Sequence, residues 1–387
     1  MLSQTKGAQI YIRQIDDATE ELEWHAIKKA PDLDKDTKEC SLSTGPSRVI
    51  GTSWFPTSYT AIARGAAETT EALTLMQEKE DSEDELIEES AKIAPVVTKD
   101  PQQLTIMDFE RGLESGTFLH LLFERANYTV VKNAKGGVSE AENTLNRMLM
   151  RLMMPFKYHL QPYGTDAFLP VFNKLLKDVL CAKLVDKSVF GTEKPLYLCD
   201  LKNESKTAEM GFTISIGEPE EGRKPVTAKN LSKLLSRFDE IYHIDIENDR
   251  ELRGYLTGAI DLCFEFEGKY FVLDWKGTKL GETPEEFTQE RMVSEIKRHH
   301  YSLQYLIYLV ALRRHLATNG IDNPDEKIAG AIYAFIRGIR ADDDKPYGVF
   351  VATPPKALVA CLDEFFTKGY HTGAVEAWAA AARTEGI

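Results

Sequence analysis

The sequence predicts an α/β domain, a central mixed sheet flanked by helices, and three features of the chain predict it. Around Glu267-Gly268, apolar residues alternate at Ile260, Leu262, Phe264 and Phe266, then at Phe271, Leu273 and Trp275, so Gly254–Gly281 reads as a β-hairpin. Gly330–Ile336 and Gly348–Ala352 are short apolar runs of the kind that buried strands make. Apolar residues recur at three- and four-residue spacing over Glu140–Met154, Ala167–Leu184 and 285–316, which predicts helices between those strands.

The remaining elements can be taken in order. Residues 1–51 are polar and weakly patterned and read as a loosely structured arm ahead of a domain at 52–387. The stretch around Trp54–Thr60 reads as the lead-in to a short helix, with Ser58 as its cap. An insertion at 77–100 carries the acidic run Glu78–Glu89, which is expected to be solvated and mobile. From Ser115 a buried helix is expected, with Thr117, His120 and Glu124 along one edge. On that basis alone His120 reads as a satisfied core histidine rather than a ligand. Phe212, Ile214 and Ile216 alternate in a strand entered just after Glu209. Residues 227–238 read as a short basic helix. The helical stretch 285–316 breaks near His299-His300, and Tyr301, Gln304, Tyr305 and Tyr308 share one face of the helix beyond the break. Helices at 356–368 and 373–383 close the chain.

Composition narrows the class. The 387 residues are 43% hydrophobic and 28% charged, as in an ordinary globular protein, and no apolar run reaches membrane-spanning length. The N-terminus lacks a signal-peptide pattern, so a cytoplasmic protein is expected. Cys40, Cys181, Cys199, Cys263 and Cys361 are scattered without a C-x-x-C pair, which predicts free thiols. A net charge of −14 does not advertise nucleic-acid binding. Basic residues nevertheless gather at Arg223–Arg237 and Lys297–Arg314, so local distribution decides that question. Gly217–Gly222 has the glycine spacing of a phosphate loop but lacks the Gly-Lys-Ser/Thr ending.

The hairpin carries the chemistry. With a two-residue loop at Glu267-Gly268, Ile260 faces Trp275, Leu262 faces Leu273 and Phe264 faces Phe271, all on one face. The same register sets Asp261 opposite Asp274 on the other face, with Lys276 two residues further on. Carboxylates that face each other across a ladder repel, and a divalent cation between them turns that repulsion into a binding site. Two aspartates and a lysine suit metal-assisted phosphodiester hydrolysis. The carboxylates hold Mg²⁺ or Mn²⁺, the metal acidifies a water, and the lysine positions or deprotonates that water or neutralises the transition state. Asp-x-Lys by itself is a weak motif, and a surface hairpin with an Asp274–Lys276 ion pair is the plain alternative. Glu265 lies towards the turn and outside the site.

Gly258-Ala-Ile-Asp261-Leu-Cys-Phe, Tyr270-Phe-Val-Leu-Asp274-Trp-Lys276 and Tyr301-Ser-Leu-Gln304-Tyr-Leu-Ile-Tyr308 resemble the RecB-type (exonuclease V) nuclease domain of the PD-(D/E)xK superfamily. Ser115–His120, Glu209–Phe212 and Gly330–Gly338 continue the resemblance, which covers most of residues 52–355. It implies a restriction-endonuclease-like core with additional helices. It also implies that Asp261, Asp274 and His120 bind metal, reversing the reading of His120, and that Lys276 is the catalytic lysine. Glu209 matches the acid of the first nuclease motif, and Gln304 and Tyr308 match a Gln-x-x-x-Tyr pair that borders the site and helps place the DNA backbone. Departures are Gly211 where a second Glu is usual, Trp275 for Tyr, and Gly277-Thr for Ser-Asn.

A Mg²⁺-dependent deoxyribonuclease of DNA end processing and recombinational repair is therefore expected, with Mn²⁺ as the alternative ion. Its DNA would be single-stranded or an unwound duplex end. The resemblance implies a helicase motor, RecC- or RecD-like subunits and RecA as partners, and no membrane. Neither an ATP site nor an iron–sulfur cluster is expected in this chain. The competing class is a non-catalytic DNA- or RecA-interaction module of a helicase–nuclease complex; intact Asp261, Asp274 and Lys276 weigh against it.

Overall fold

The computed structural model describes residues 55–59, 62, 99–134, 139–187, 189–343 and 347–385. The arm expected at 1–51 and the acidic run lie outside those residues. The described strands are β1 (Phe55–Thr57), β2 (Lys206–Ile216), β3 (Gly254–Phe266), β4 (Lys269–Lys276), β5 (Ile328–Phe335) and β6 (Val349–Ala352). Helices α1 (Leu113–Arg125), α2 (Tyr128–Asn133), α3 (Glu140–Met153) and α4 (Thr165–Cys181) precede β2. Helix α5 (Ala228–Leu235) precedes β3, and α6 (Gln289–Arg298), α7 (Tyr301–Thr318) and the single turn α8 (Pro324–Lys327) join β4 to β5. Helices α9 (Lys356–Lys368) and α10 (Thr372–Glu385) follow β6.

The strands form one mixed sheet in the order β1-β3-β4-β5-β6, with β2 also paired to β3. The hairpin turns at Glu267-Gly268, whose φ values of 51° and 74° are the paired left-handed conformations of a two-residue loop. From Leu262–Leu273 to Phe266–Lys269 the register is the one the loop length dictates. Strand β5 runs parallel to β4 beyond the α6–α7 crossover. Ala331–Phe335 is buried throughout, as a continuous apolar run in a covered parallel strand should be.

Two cores sandwich the sheet. Helices α1–α4 pack on one face against Leu262, Phe264, Phe271, Leu273 and Trp275. Helices α5–α7, α9 and α10 cover the other against Leu256, Ile260, Cys263 and Val272. Helix α7 is apolar nearly all round and buried from Tyr301 to Leu312, so both of its faces are core. The break before it falls at His299-His300, where His300 has φ 54°.

Four local expectations need correction. Phe55–Thr57 is a strand parallel to Gly254–Leu256 rather than part of a helix lead-in, while helical residues do begin at Tyr59, directly after the expected cap Ser58. Three residues carry no periodicity, so only tertiary pairing reveals this strand. Strand β2 starts at Lys206, which puts Glu209 inside it rather than before it. Ile260 does not share a face with Leu262: it packs in the opposite core, because β3 changes face at Asp261, where its pairing with β4 ends. Asp261 does not pair with Asp274 across the ladder, because β3–β4 pairing ends at Leu262–Leu273, and Asp274 and Lys276 are only 2% and 3% exposed beneath α7.

Candidate active site

The site sits in a notch in the sheet. Strand β2 pairs with β3 along Gly254–Phe264, so β1 and β4 must share the other edge of β3. Strand β1 pairs there with Gly254–Leu256 and β4 with Leu262–Phe266, which leaves Thr257–Asp261 between them. A cleft of about 490 Å³ opens at this gap. Thr117, His120 and Glu124 of α1, Glu209 and Phe212 of β2, and Asp261, Asp274, Lys276 and Tyr308 line it. The edge of α1 anticipated from Thr117, His120 and Glu124 is thus the cleft wall.

Asp261 is the hub. Its Oδ2 accepts the main-chain N–H of Trp275 at 2.7 Å and lies 3.3 Å from His120 Nδ1. Glu209 falls opposite it on β2, but the ladder skips that pair and Glu209 has φ 49°. A glutamate in this region is uncommon and mildly strained, which marks a position set by something other than sheet pairing. One ligand atom from each of His120, Glu209 and Asp261 lies within 4.8 Å of the others. Desolvation by the cleft walls, then the charge of Asp261, pushes the Glu209 carboxyl up, with His120 opposing.

Asp274 stands beside this trio rather than in it. Its Oδ2 is 2.9 Å from Lys276 Nζ, yet finds no hydrogen bond of good geometry there. Burial, opposed by Lys276 and reinforced by Asp261, pushes the Asp274 carboxyl up to about 7. A buried carboxylate beside Asp261 and His120 is placed where it could share a cation with them. One imidazole nitrogen and several carboxylate oxygens form a hard donor set, suited to Mg²⁺ or Mn²⁺.

Behind the lysine lies a polar relay. Lys276 Nζ reaches Gln304 Oε1 at 3.4 Å and rests 4.0 Å from the Tyr301 ring centroid. Gln304 Nε2 donates to the Tyr308 hydroxyl at 3.1 Å. Gln304 is 1% exposed and does not line the cleft, whereas Tyr308 does. The Tyr333 hydroxyl, paired with Asp274 in the β4–β5 register, donates to Gln304 Oε1 at 2.6 Å. Sequence pattern alone assigns Tyr333 no role, because an apolar strand hides a tyrosine until its neighbours are known.

The basic stretch Lys297–Arg314 is open at its start, where Lys297 and Arg298 are exposed, and closed at its end. Lys297 pairs with Glu240, Arg313 with Asp325 and Asp363, and Arg314 with Asp363. Glu265, outside the site, accepts the N–H of Gly268 in the hairpin turn.

A mixed sheet between two helical layers, with acids, a histidine and a lysine at a split strand edge, defines a class of nuclease. Residues 101–383 match the PD-(D/E)XK nuclease superfamily, and the chain belongs to it. Among its relatives is the RecBCD enzyme subunit RecB of Escherichia coli, 32% identical over 72% of this chain and 21% of that protein. RecB of Mycobacterium tuberculosis is 27% identical over 83% of this chain and 29% of its own length. RecB of Haemophilus influenzae is 27% identical over 67% of this chain and 19% of that protein. The chain thus spans well under a third of these relatives. Among the described residues no helix is long and apolar enough to cross a membrane.

Proposed function

We propose that this nuclease is a divalent-metal-dependent deoxyribonuclease of the RecB type, acting on a DNA strand that enters the cleft beside Asp261. The observation that carries the reading is the convergence of His120, Glu209 and Asp261 at the notch, with Asp274 and Lys276 alongside. His120, Asp261 and Asp274 would hold the cation, and Glu209 would act beside them. Once bound, Mg²⁺ or Mn²⁺ would acidify a water and stabilise charge on the phosphate oxygens.

The chain's own groups do the rest. Lys276, held by Asp274 and Tyr301, directs an ammonium at the charge that develops on the phosphate oxygens. Tyr308 borders the strand's path, and Gln304 orients both Tyr308 and Lys276 from behind. Tyr59, whose hydroxyl donates to His299 O at 2.7 Å, holds the β1 side of the cleft against the α6–α7 break.

Similarity to RecB, and the share of RecB that this chain spans, support a role in DNA end processing and recombinational repair. The RecBCD naming of these relatives supports RecC- or RecD-like subunits as partners, and the resemblance of the nuclease motifs to the RecB type is the ground for adding a helicase motor that feeds the strand and RecA. One assay tests the proposal: labelled single- and double-stranded DNA with Mg²⁺, incubated with wild type and with Asp274→Ala. Cleavage by wild type alone is expected. Equal cleavage by both sinks the catalytic reading, and DNA binding without cleavage by either favours a non-catalytic interaction module.

A further inference from the structure

The Gly330–Gly338 stretch contains one residue that this chemistry does not use. Arg337 follows β5 and is 1% exposed. Its Nε donates to Gly277 O at 2.6 Å, its Nη1 to Ile106 O at 2.6 Å and Phe109 O at 2.8 Å, and its Nη2 to Glu110 O at 3.0 Å. These carbonyls belong to two segments. Residues 106–110 lead into α1, the helix that carries His120. Gly277 directly follows Lys276. A rigid planar fork of five donors can bridge such separated acceptors, and a lysine ammonium cannot.

Packing at Gly277 points the same way. A Cβ there would meet Leu119 Cδ1 at 3.3 Å, so α1 rests on this backbone one residue before His120. The path from Arg337 to the site is therefore short: guanidinium, lead of α1, His120, and then Asp261 Oδ2 at 3.3 Å from the imidazole.

We infer that Arg337 is a positioning residue: by tying the lead of α1 to the backbone just past Lys276, it sets the reach of His120 towards Asp261, and with it the site's affinity for a cation. The inference rests on His120 being a metal ligand. A guanidinium that merely stabilised the fold would not act through His120.

Mn²⁺ titration calorimetry on the full chain tests this, comparing wild type, His120→Ala, Arg337→Lys and the double variant. Arg337→Lys should bind Mn²⁺ about tenfold more weakly, as removal of a support behind a ligand does, and the double variant no more weakly than His120→Ala. Wild-type affinity in folded Arg337→Lys, or weakening that adds to that of His120→Ala, overturns the inference. If Arg337→Lys fails to fold, Arg337→Gln replaces it: its single amide cannot span both segments, so affinity should fall without adding to His120→Ala, and unchanged affinity overturns the inference. If His120→Ala itself binds as wild type, the ligand reading fails instead. The His120 imidazole resonance of metal-free Arg337→Lys then separates the two ideas. A displaced resonance keeps the clamp, and an unmoved one discards it.

Discussion

Asp261 accepts the main-chain N–H of Trp275 at the point where β3 and β4 stop pairing. One carboxylate therefore closes the end of the ladder and faces the cleft. Asp261→Asn keeps an acceptor for Trp275 and loses the charge, whereas Asp261→Ala loses both. In metal-free urea denaturation Asp261→Asn should match wild type, and Asp261→Ala should be weaker by about 1–3 kcal/mol, the cost of an unmet buried donor. Both should lose Mn²⁺ binding. Equal stability of the two variants would refute the capping role.

The raised pKa of Asp274 gives a pH dependence with a definite sign. The folded protein holds this proton more tightly than the unfolded chain, so the contribution is complete below the ordinary carboxylate range. It is lost as pH rises through about 7. Metal-free stability should therefore fall between pH 5 and pH 8, by on the order of 2 kcal/mol from this group. Asp274→Asn should flatten that slope, and Mn²⁺ should restore stability at pH 8 in wild type alone. Matching slopes in the two proteins would count against it.

Tyr333 holds Gln304 Oε1, and Gln304 holds Tyr308. Tyr333→Phe removes one neutral hydrogen bond, worth about 0.5–1.5 kcal/mol. If the relay orients Lys276, kcat should fall by roughly three- to tenfold with KM little changed. A rise in KM alone would assign the relay to DNA binding.

Arg313 and Arg314 are engaged with Asp325 and Asp363, away from the cleft lining. Arg313→Gln/Arg314→Gln should lower the urea midpoint and leave the salt slope of DNA binding unchanged. Removing a cation that neutralises a duplex phosphate would change that slope by about 0.9. A shallower slope would restore this stretch as a DNA-binding surface.

Much of the site is legible in sequence because β periodicity is local. Two residues at Glu267-Gly268 set the register, and the register brings Asp261 towards Asp274. Gln304 and Tyr308 are legible as neighbours one helical turn apart, but not that Gln304 is buried behind the lysine while Tyr308 meets the cleft. His120 shows the limit most plainly. Its helix edge is readable, and nothing in that edge distinguishes a core histidine from a ligand until Asp261 lies beside it.

The alternation of Gly254–Gly281 and the helical spacing around it carry the α/β class and the hairpin, since each depends on residues close in the chain. The expected pairing of Asp261 with Asp274 gives way to the bond from Trp275 N–H, because the ladder ends at Leu262–Leu273. The notch is not local either. It exists because three-residue β1 and the end of β4 divide one edge of β3, a long-range pairing that no local pattern encodes. The change of face at Asp261, the addition of Glu209 to the trio and the grip of Arg337 on 106–110 and Gly277 likewise join distant segments. Only the folded chain could decide them, because only closure of the sheet between its two helical layers brings those backbones together.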